Sequence, residues 1–275
     1  MVDSNDASLN IPDRSDEELT GFAFSASVLG LQGEARDALV LEQFLAGNVP
    51  TFMRALCPIS WTSGTLSGER KTTTIWVMPD YLCIGSDEDY VRFPMNPLTA
   101  QMIADAYGAF LPTRRLVNTI FEHADIPLVA KTMLAGSRMR STAYVIEHNK
   151  LIQGQLAGET PGVLVAGHKK DIVLCKSLFL DPATHQPWTS EHSPRVAIYG
   201  WARTVAGPKW EAWQGLNSTS HDNLYEDYSH GVRLIAAKVL IDGEEHTFDE
   251  VLQDPQLAGT LSDEGPLPSA RYPGA

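Results

Sequence analysis

The spacing of apolar and polar positions changes twice along the chain. In 34–46 apolar residues recur at helical intervals, and Gly47 follows them, which predicts a helix. Short apolar and alternating runs come next and are typical of strands. Pro79-Asp80 between two of these runs has the composition of a turn. The predicted strands cover 59–61, 72–78 and 81–84.

Between residues 96 and 157 the spacing is helical again. Asn96 or Thr99 can cap a helix that runs to residue 107, and Pro112 can open a second one that runs to residue 121. Ser141 or Thr142 begins a third helix. These three consecutive helices are expected to form one layer.

After residue 160 the strand pattern returns. Asp242-Gly243 has the composition of a two-residue hairpin turn, and Thr247 with Glu250 has the spacing of a helical capping box. The order of strands, helices and strands without βαβ alternation predicts an α+β fold with a mostly antiparallel sheet and a central block of three helices packed on it. The strands are expected over 163–166, 171–175, 196–201, 210–213, 232–241 and 244–248.

The 275 residues, of which 43% are hydrophobic, suffice for one large domain. The formal net charge of -13 is uneven, because residues 1–20 carry -5 and residues 241–275 carry -7. This distribution predicts an acidic flexible leader over 1–18, a single α+β domain over 19–265 and a flexible tail over 266–275.

The near-neutral body argues against certain partners. Nucleic acid and anionic membranes both need clustered Lys and Arg, and the one dense cluster is Lys169-Lys170 with Lys176. Three cysteines without C-x-x-C spacing favour a reducing compartment over a disulfide framework or a zinc ribbon. With no signal-peptide pattern at the N-terminus, we expect a cytoplasmic protein that binds neither nucleic acid nor membrane.

Common catalytic motifs do not occur in the sequence. There is no G-x-G-x-x-G, no G-x-x-x-x-G-K-[ST], no G-x-S-x-G and no H-E-x-x-H. Nucleotide-dependent chemistry, the common hydrolase elbow and zincin-type proteolysis therefore lose their simplest support.

Titratable residues concentrate first in GHKKD, residues 167–171, between two apolar runs. Loops at strand ends present side chains to ligands, so Lys169 and Lys170 are candidates for binding a carboxylate or phosphate. His168 and Asp171 are candidates for proton transfer. The simpler interpretation is a charged β-turn.

The second concentration is the segment 221–233, which holds two His, two Tyr and an Arg beside its acids. Asp227 lies three residues before His230, so its carboxylate could accept the imidazole N–H and orient a catalytic base. Gly231 could leave room for a substrate beside that base. A polar loop whose side chains satisfy backbone groups is the simpler alternative. Further candidates for substrate binding are Tyr228, Ser229, Arg233 and Trp201.

A metal site is a weaker possibility. His168, His221 and His230, with Asp171 or Asp227, could supply three or four zinc ligands. No pair among them has the short or helical spacing typical of zinc sites, so we expect no cofactor. The tryptophans Trp201, Trp210 and Trp213 around 205–208 could line a ligand pocket or simply pack across a hairpin.

Several of these strings resemble a family of largely uncharacterised bacterial and fungal proteins. They are GHKKD at 167–171, VAIYGW at 196–201 and DYSHGVRL at 227–234, with further likeness in 73–94 and 111–121. No established activity comes with this resemblance. In the family pattern a His follows the Gly-Trp pair, whereas this chain has Ala202. If that His is functional in the relatives, the resemblance implies a lost or altered activity here.

The leading functional hypothesis is a cofactor-independent hydrolase that acts on an ester or amide of a small molecule or peptide. His230 would be the base, Asp227 its orienting group and His168 a second acid or base, with Lys169, Lys170 or Arg233 holding an anion. A cofactor-free lyase, isomerase or cyclase of a small organic acid could use the same groups. A third alternative is a non-catalytic binding protein for an anionic ligand. The sequence leaves the nucleophile and the oligomeric state open.

Overall fold

The computed structural model describes residues 7–65, 68–188, 195–204, 210–218 and 220–275. The helices in these residues are α1 (Gly21–Ser27), α2 (Glu34–Leu45), α3 (Pro97–Tyr107), α4 (Arg114–Glu122), α5 (Thr142–Gln155) and α6 (Phe248–Gln253). The strands are β1 (Cys57–Gly64), β2 (Arg70–Val77), β3 (Cys83–Gly85), β4 (Tyr90–Arg92), β5 (Ala109–Phe110), β6 (Ile126–Pro127), β7 (Val165–Ala166), β8 (Lys170–Ile172), β9 (Ile198–Thr204), β10 (Trp210–Asn217), β11 (His230–Gly231), β12 (Ile235–Ile241) and β13 (Glu244–Thr247).

The helices begin where side-chain caps are available. Asn96 and Ser141 each accept a hydrogen bond from a backbone N–H of the first turn, as predicted. The helix α4 begins at Arg114 rather than at Pro112, because Thr113 is its cap. The capping box at Thr247 is present. Among the described residues, no helix combines the length and apolar character that a membrane crossing requires.

The larger sheet is antiparallel throughout. Its strands follow the order β1, β2, β12, β13, and β5 also pairs with β12. Ile75 in β2 lies opposite Ile59 on one side and Val239 on the other. The hairpin predicted at Asp242-Gly243 joins β12 to β13, and Asp242 has the positive φ that such a turn requires.

The second sheet contains the order β10, β9, β8, β11. Its pairs are antiparallel except for β8 and β11, which run parallel. Two ribbons complete the described strands: β3 with β4 is antiparallel, and β6 with β7 is parallel. The α+β class with mostly antiparallel sheets is therefore confirmed.

The three central helices pack against different neighbours. The helix α3 lies against α2 and β5, α4 against β9 and β7, and α5 against β4 and α1. One large hydrophobic core, from Phe24 to Tyr272, joins the helices to both sheets. Cys83 and Cys175 are buried in it, and Cys57 is half-buried at its edge.

Both segments that the charge pattern predicts to be flexible contact the domain. Asn10 donates its backbone N–H to the carbonyl of Tyr107, and the Arg54 guanidinium donates to the carbonyl of Ile11. At the other end, the buried Tyr272 hydroxyl accepts a hydrogen bond of 2.7 Å from the backbone N–H of Ala197. Residues 7–18 and 266–275 thus extend the packing beyond the predicted boundaries.

Candidate functional site

The two polar segments found in the sequence lie side by side. The strands β8 and β11 place Lys170 opposite His230 and Asp171 opposite Gly231. The backbone N–H of Lys170 donates to the carbonyl of Ser229 at 2.7 Å. GHKKD is not an exposed loop, contrary to expectation, because this pairing draws it and residues 226–233 into the interior, whereas His221 and Asp222 stay exposed.

The His168 imidazole is bound to a carboxylate that the sequence analysis missed. Its Nε2 lies 3.1 Å from Oδ1 of Asp80, so Asp80 and not Asp171 is its partner. Arg92 donates from Nε to Oδ2 of Asp80 at 2.9 Å, and its Nη2 contacts the same oxygen. The N–H of Tyr81 donates to Oδ1 at 2.6 Å. Both Asp80 oxygens are therefore occupied.

Burial and the neighbouring charges together set the protonation states of Asp80 and His168. Burial opposes ionisation of Asp80, but the Arg92 charge and the His168 contact together hold the pKa of Asp80 well below its usual range. Burial also lowers the pKa of His168 to about 4, against the pull of Asp80. His168 is therefore neutral at neutral pH, and its Nδ1 has no hydrogen-bond partner among the described residues.

Asp171 and Arg233 extend the same group. The Tyr81 hydroxyl donates to Oδ2 of Asp171 at 2.7 Å, and burial raises the pKa of Asp171 to about 7. Arg233 lies over the Tyr81 ring and donates to the carbonyls of Met78 and Val165. Both terminal nitrogens of Arg233 thus bind the backbone, and a role of this residue in holding a substrate anion stays a prediction. We call this group the Asp80 cluster: Asp80, Tyr81, Arg92, His168, Asp171 and Arg233.

Lys169 is not an exposed anion-binding group either. Its buried Nζ donates to the carbonyl of Tyr228 at 2.7 Å and lies 3.2 Å from Nδ1 of His148. Burial, reinforced by the Arg92 charge, lowers the pKa of Lys169 to about 7. A Cβ on Gly231 would lie 2.7 Å from Cβ of Lys169. Gly231 therefore makes room for this lysine and not for a substrate.

Four predicted residues form a second group with Tyr225, which was not predicted. We call it the turn cluster: Lys170, Trp201, Tyr225, Asp227 and His230. Here Nε2 of His230 lies 3.9 Å from Oδ2 of Asp227, which is too long for the predicted orienting hydrogen bond. Asp227 instead accepts from the backbone N–H of Ser229 at 2.8 Å and from its hydroxyl at 2.5 Å. The Tyr225 hydroxyl donates to its other oxygen at 3.2 Å.

The His230 imidazole is buried without a hydrogen bond. Its side chain is 1% exposed, and neither ring nitrogen has a partner among the described residues. Burial lowers the pKa of His230, and the Asp227 charge opposes that shift. Burial would raise the pKa of Asp227, but His230 and Lys170 bring it below its ordinary value. A neutral imidazole thus faces an ionised carboxylate at neutral pH.

Aromatic rings surround this cluster. The Nζ of Lys170 lies 4.7 Å from the centre of the Trp201 ring, which stacks on Trp213 at 5.4 Å. Trp213 is 46% exposed, whereas Trp210 packs on Phe121 instead. The hairpin predicted at 205–208 lies outside the described residues.

Two other predicted residues have structural contacts of their own. The Tyr228 hydroxyl accepts a hydrogen bond from the N–H of Met133 at 2.9 Å, and its carbonyl binds Lys169. His221 is exposed and stacks on Tyr225, with ring centroids 3.8 Å apart. The proposed zinc ligands His168, His221 and His230 do not converge: in the described ranges no three His, Cys, Asp or Glu side chains could hold a metal ion.

The sequence analysis missed Asp80, Arg92 and His148. Asp80 has the sequence context of a turn residue, and Arg92 stands between the apolar Val91 and Phe93 at the end of β4. Its isolation there was a usable signal, because a lone charge on a buried strand needs a buried partner. His148 follows Tyr144 by one helical turn and shares its buried face.

Comparison with known proteins does not indicate a function, so the functional assignment rests on the geometry of the two clusters. No family model, curated protein or solved structure matches the chain. The resemblance inferred from the sequence motifs therefore stays a prediction.

Proposed function

We propose that this chain is a cofactor-independent hydrolase of an ester or amide of a small molecule or peptide, with the turn cluster as its active site. The observation that carries the proposal is the His230 imidazole, which is buried with both ring nitrogens unpaired among the described residues. A buried polar group without a hydrogen bond destabilises the folded state. Its presence here therefore favours a role in which the imidazole binds or deprotonates water or substrate.

The chemistry needs no protein nucleophile. Neutral His230 takes a proton from water as the water oxygen bonds to the carbonyl carbon. The imidazolium then returns the proton to the alkoxide or amine that leaves as the C–O or C–N bond breaks. Ser229 is not assigned as a nucleophile, because its hydroxyl donates to Asp227.

Asp227 and Lys170 supply the charges for this reaction. The Asp227 carboxylate, 3.9 Å from the ring, stabilises the imidazolium by electrostatic attraction without a hydrogen bond. Lys170 is the cation we assign to the developing oxyanion, because Lys169 and Arg233 are bound to backbone carbonyls. Its position over the Trp201 ring supports this role, since the ring restricts the ammonium without supplying an anion.

Substrate reaches His230 through the ring stack in this proposal. The Tyr225 ring lies 5.7 Å from the His230 ring in an edge-to-face arrangement. The exposed His221 ring stacks on the Tyr225 ring. The Tyr225 side chain must therefore move for a carbonyl group to approach the imidazole.

The test uses p-nitrophenyl acetate, mono-p-nitrophenyl succinate and acetyl p-nitroanilide as substrates. We expect the wild-type protein to accelerate hydrolysis of at least one of them. His230→Gln should lower kcat/KM by about 100-fold or more, which is the usual contribution of a general base. His123→Gln is the matched control, because this exposed histidine ends α4 and lies outside both clusters.

A wild-type rate equal to that in buffer with all three substrates overturns the hydrolase proposal. Equal activity of His230→Gln and wild type overturns the assignment of the base. If succinate binds both proteins with the same affinity and neither turns over any substrate, the chain is a binding protein instead.

A further inference from the structure

A cavity of about 190 Å³ lies away from the turn cluster, whose residues do not line it. It is bordered by α5, by the loop that follows this helix and by the ribbon of β6 and β7. Pockets for drug-sized ligands have volumes of about 300–1,000 Å³, so this one suits a smaller molecule. Its polar and aromatic lining consists of Phe52, Asp80, Tyr90, Gln153, Glu159 and Thr160.

Two aromatic rings contribute to the wall. Phe52 and Tyr90 meet edge to face, with ring centroids 5.0 Å apart. The face of an aromatic ring carries partial negative charge and attracts cations, quaternary ammonium groups included. The Arg92 guanidinium, which is not part of the cavity lining, lies 5.2 Å from the Tyr90 centroid, so this ring already contacts one cation.

The charged lining is exclusively acidic. Among the described residues Asp80 and Glu159 are its charged members, and none of the described Lys, Arg or His residues lines the cavity. Asp80 is paired with Arg92, but no salt bridge joins the exposed Glu159 to any described residue. Asp87 adds a further carboxylate next to the aromatic wall, where its Oδ1 accepts from the N–H of Phe52 at 3.3 Å.

The rest of the lining is mainly aliphatic. Ile126, Leu156 and Val163 present hydrocarbon surface, and Gln153 can hydrogen-bond a hydroxyl group. A ligand that matches these surfaces has a positive charge, an apolar body and one polar end. We propose that this cavity binds a small organic ammonium ion with alkyl substituents on nitrogen.

Choline and its neutral isostere 3,3-dimethylbutan-1-ol test the proposal, because they differ in charge but hardly in shape. Calorimetric titration of the full-length protein should give at least about tenfold tighter binding of choline, since the aromatic rings and Glu159 attract its charge and not the neutral alcohol. Phe52→Leu and Glu159→Gln should each weaken choline binding about threefold and leave the alcohol unchanged.

Glu147→Gln is the control, because Glu147 is an exposed carboxylate on α5, the helix that borders the cavity, and does not itself line it. Its affinity for choline should equal that of wild type. Equal affinity for choline and the alcohol, no binding of choline, or full choline affinity in both Phe52→Leu and Glu159→Gln overturns the proposal. Ester hydrolysis measured in the same variants should stay at the wild-type rate, so this site and the turn cluster are tested separately.

Discussion

The Asp80 cluster and the turn cluster contain the same chemical groups in different states of hydrogen bonding. Each combines a buried carboxylate, an imidazole and a cation, and each uses side chains from 168–171. In the first, His168 is 3.1 Å from an Asp80 whose two oxygens also bind Arg92. In the second, His230 is 3.9 Å from Asp227, and its nitrogens have no partner in the described structure.

This difference separates a structural group from a candidate site. Both Asp80 oxygens are already bound, and removal of one partner of this ion pair leaves a buried charge uncompensated; Nδ1 of His168 is the one ring nitrogen of this pair without a partner among the described residues. An unsaturated imidazole costs stability but keeps its lone pair for a proton. The residue types are nearly alike in the two clusters, whereas His168 and Asp80 are 88 residues apart in the sequence and His230 follows Asp227 by three, so the difference in hydrogen bonding comes from the geometry.

The largest expected effect comes from breaking the saturated cluster. Arg92→Met leaves the Asp80 carboxylate buried without its main countercharge and should lower the free energy of unfolding by about 3–5 kcal/mol. Urea denaturation at neutral pH measures this loss. Arg114→Met removes the partly exposed pair with Asp263 and should cost about 1 kcal/mol or less. Equal losses in the two variants would mean that the Asp80 cluster does not stabilise the fold.

The next test uses pH on the same cluster. The pKa of Asp171 rises from 3.8 to about 7 on folding, so the folded state holds a proton that the unfolded state releases. The stabilisation that this bound proton gives the folded state is fully present below pH 3.8 and is lost as the pH rises toward 7. Asp171→Asn cannot ionise and escapes this loss.

The difference in unfolding free energy, Asp171→Asn minus wild type, should therefore increase by up to roughly 4 kcal/mol as the pH rises from 3.8 to about 7. Urea denaturation at several pH values gives the difference, and groups common to both proteins cancel in it. Curves that stay parallel from acid to neutral pH would show that Asp171 titrates normally.

The smallest effect on stability is expected when each of the two histidines is replaced by glutamine and the two variants are compared. His168→Gln removes a hydrogen bond to an ionised carboxylate and should cost about 1.5–3 kcal/mol. His230→Gln removes no hydrogen bond within the described residues, so it should change stability by less than about 1 kcal/mol. Thermal and urea unfolding of the two variants are compared at neutral pH. A larger loss in His230→Gln would assign it a structural role.

Local signals account for the part of the fold that the sequence predicts. The cap residues Asn96 and Ser141 and the turn Asp242-Gly243 act within a few residues of themselves, so their neighbours in the chain suffice to identify them. The order of strands, helices and strands, which predicts the α+β class, follows from the same local patterns. The short strands β4, β5, β6 and β11 were not predicted, because two or three residues carry no clear period.

The candidate site is predictable only in part. His230, Asp227 and Lys170 were identified by their chemistry, but the parallel pairing that joins them connects segments about 60 residues apart. The binding of Lys169 and Arg233 to backbone carbonyls depends on that tertiary contact. The partner of His168 is Asp80, which lies 88 residues earlier in the chain, so sequence proximity gives no sign of this contact.

The pairing of β8 with β11 also bears on how the chain folds. A parallel ladder between distant segments forms only after a long loop has closed, and such contacts slow folding. From this separation we expect His230 to meet Lys170 after the local helices and the β12–β13 hairpin have formed. A chain trapped before this step would contain most of its secondary structure and no assembled turn cluster.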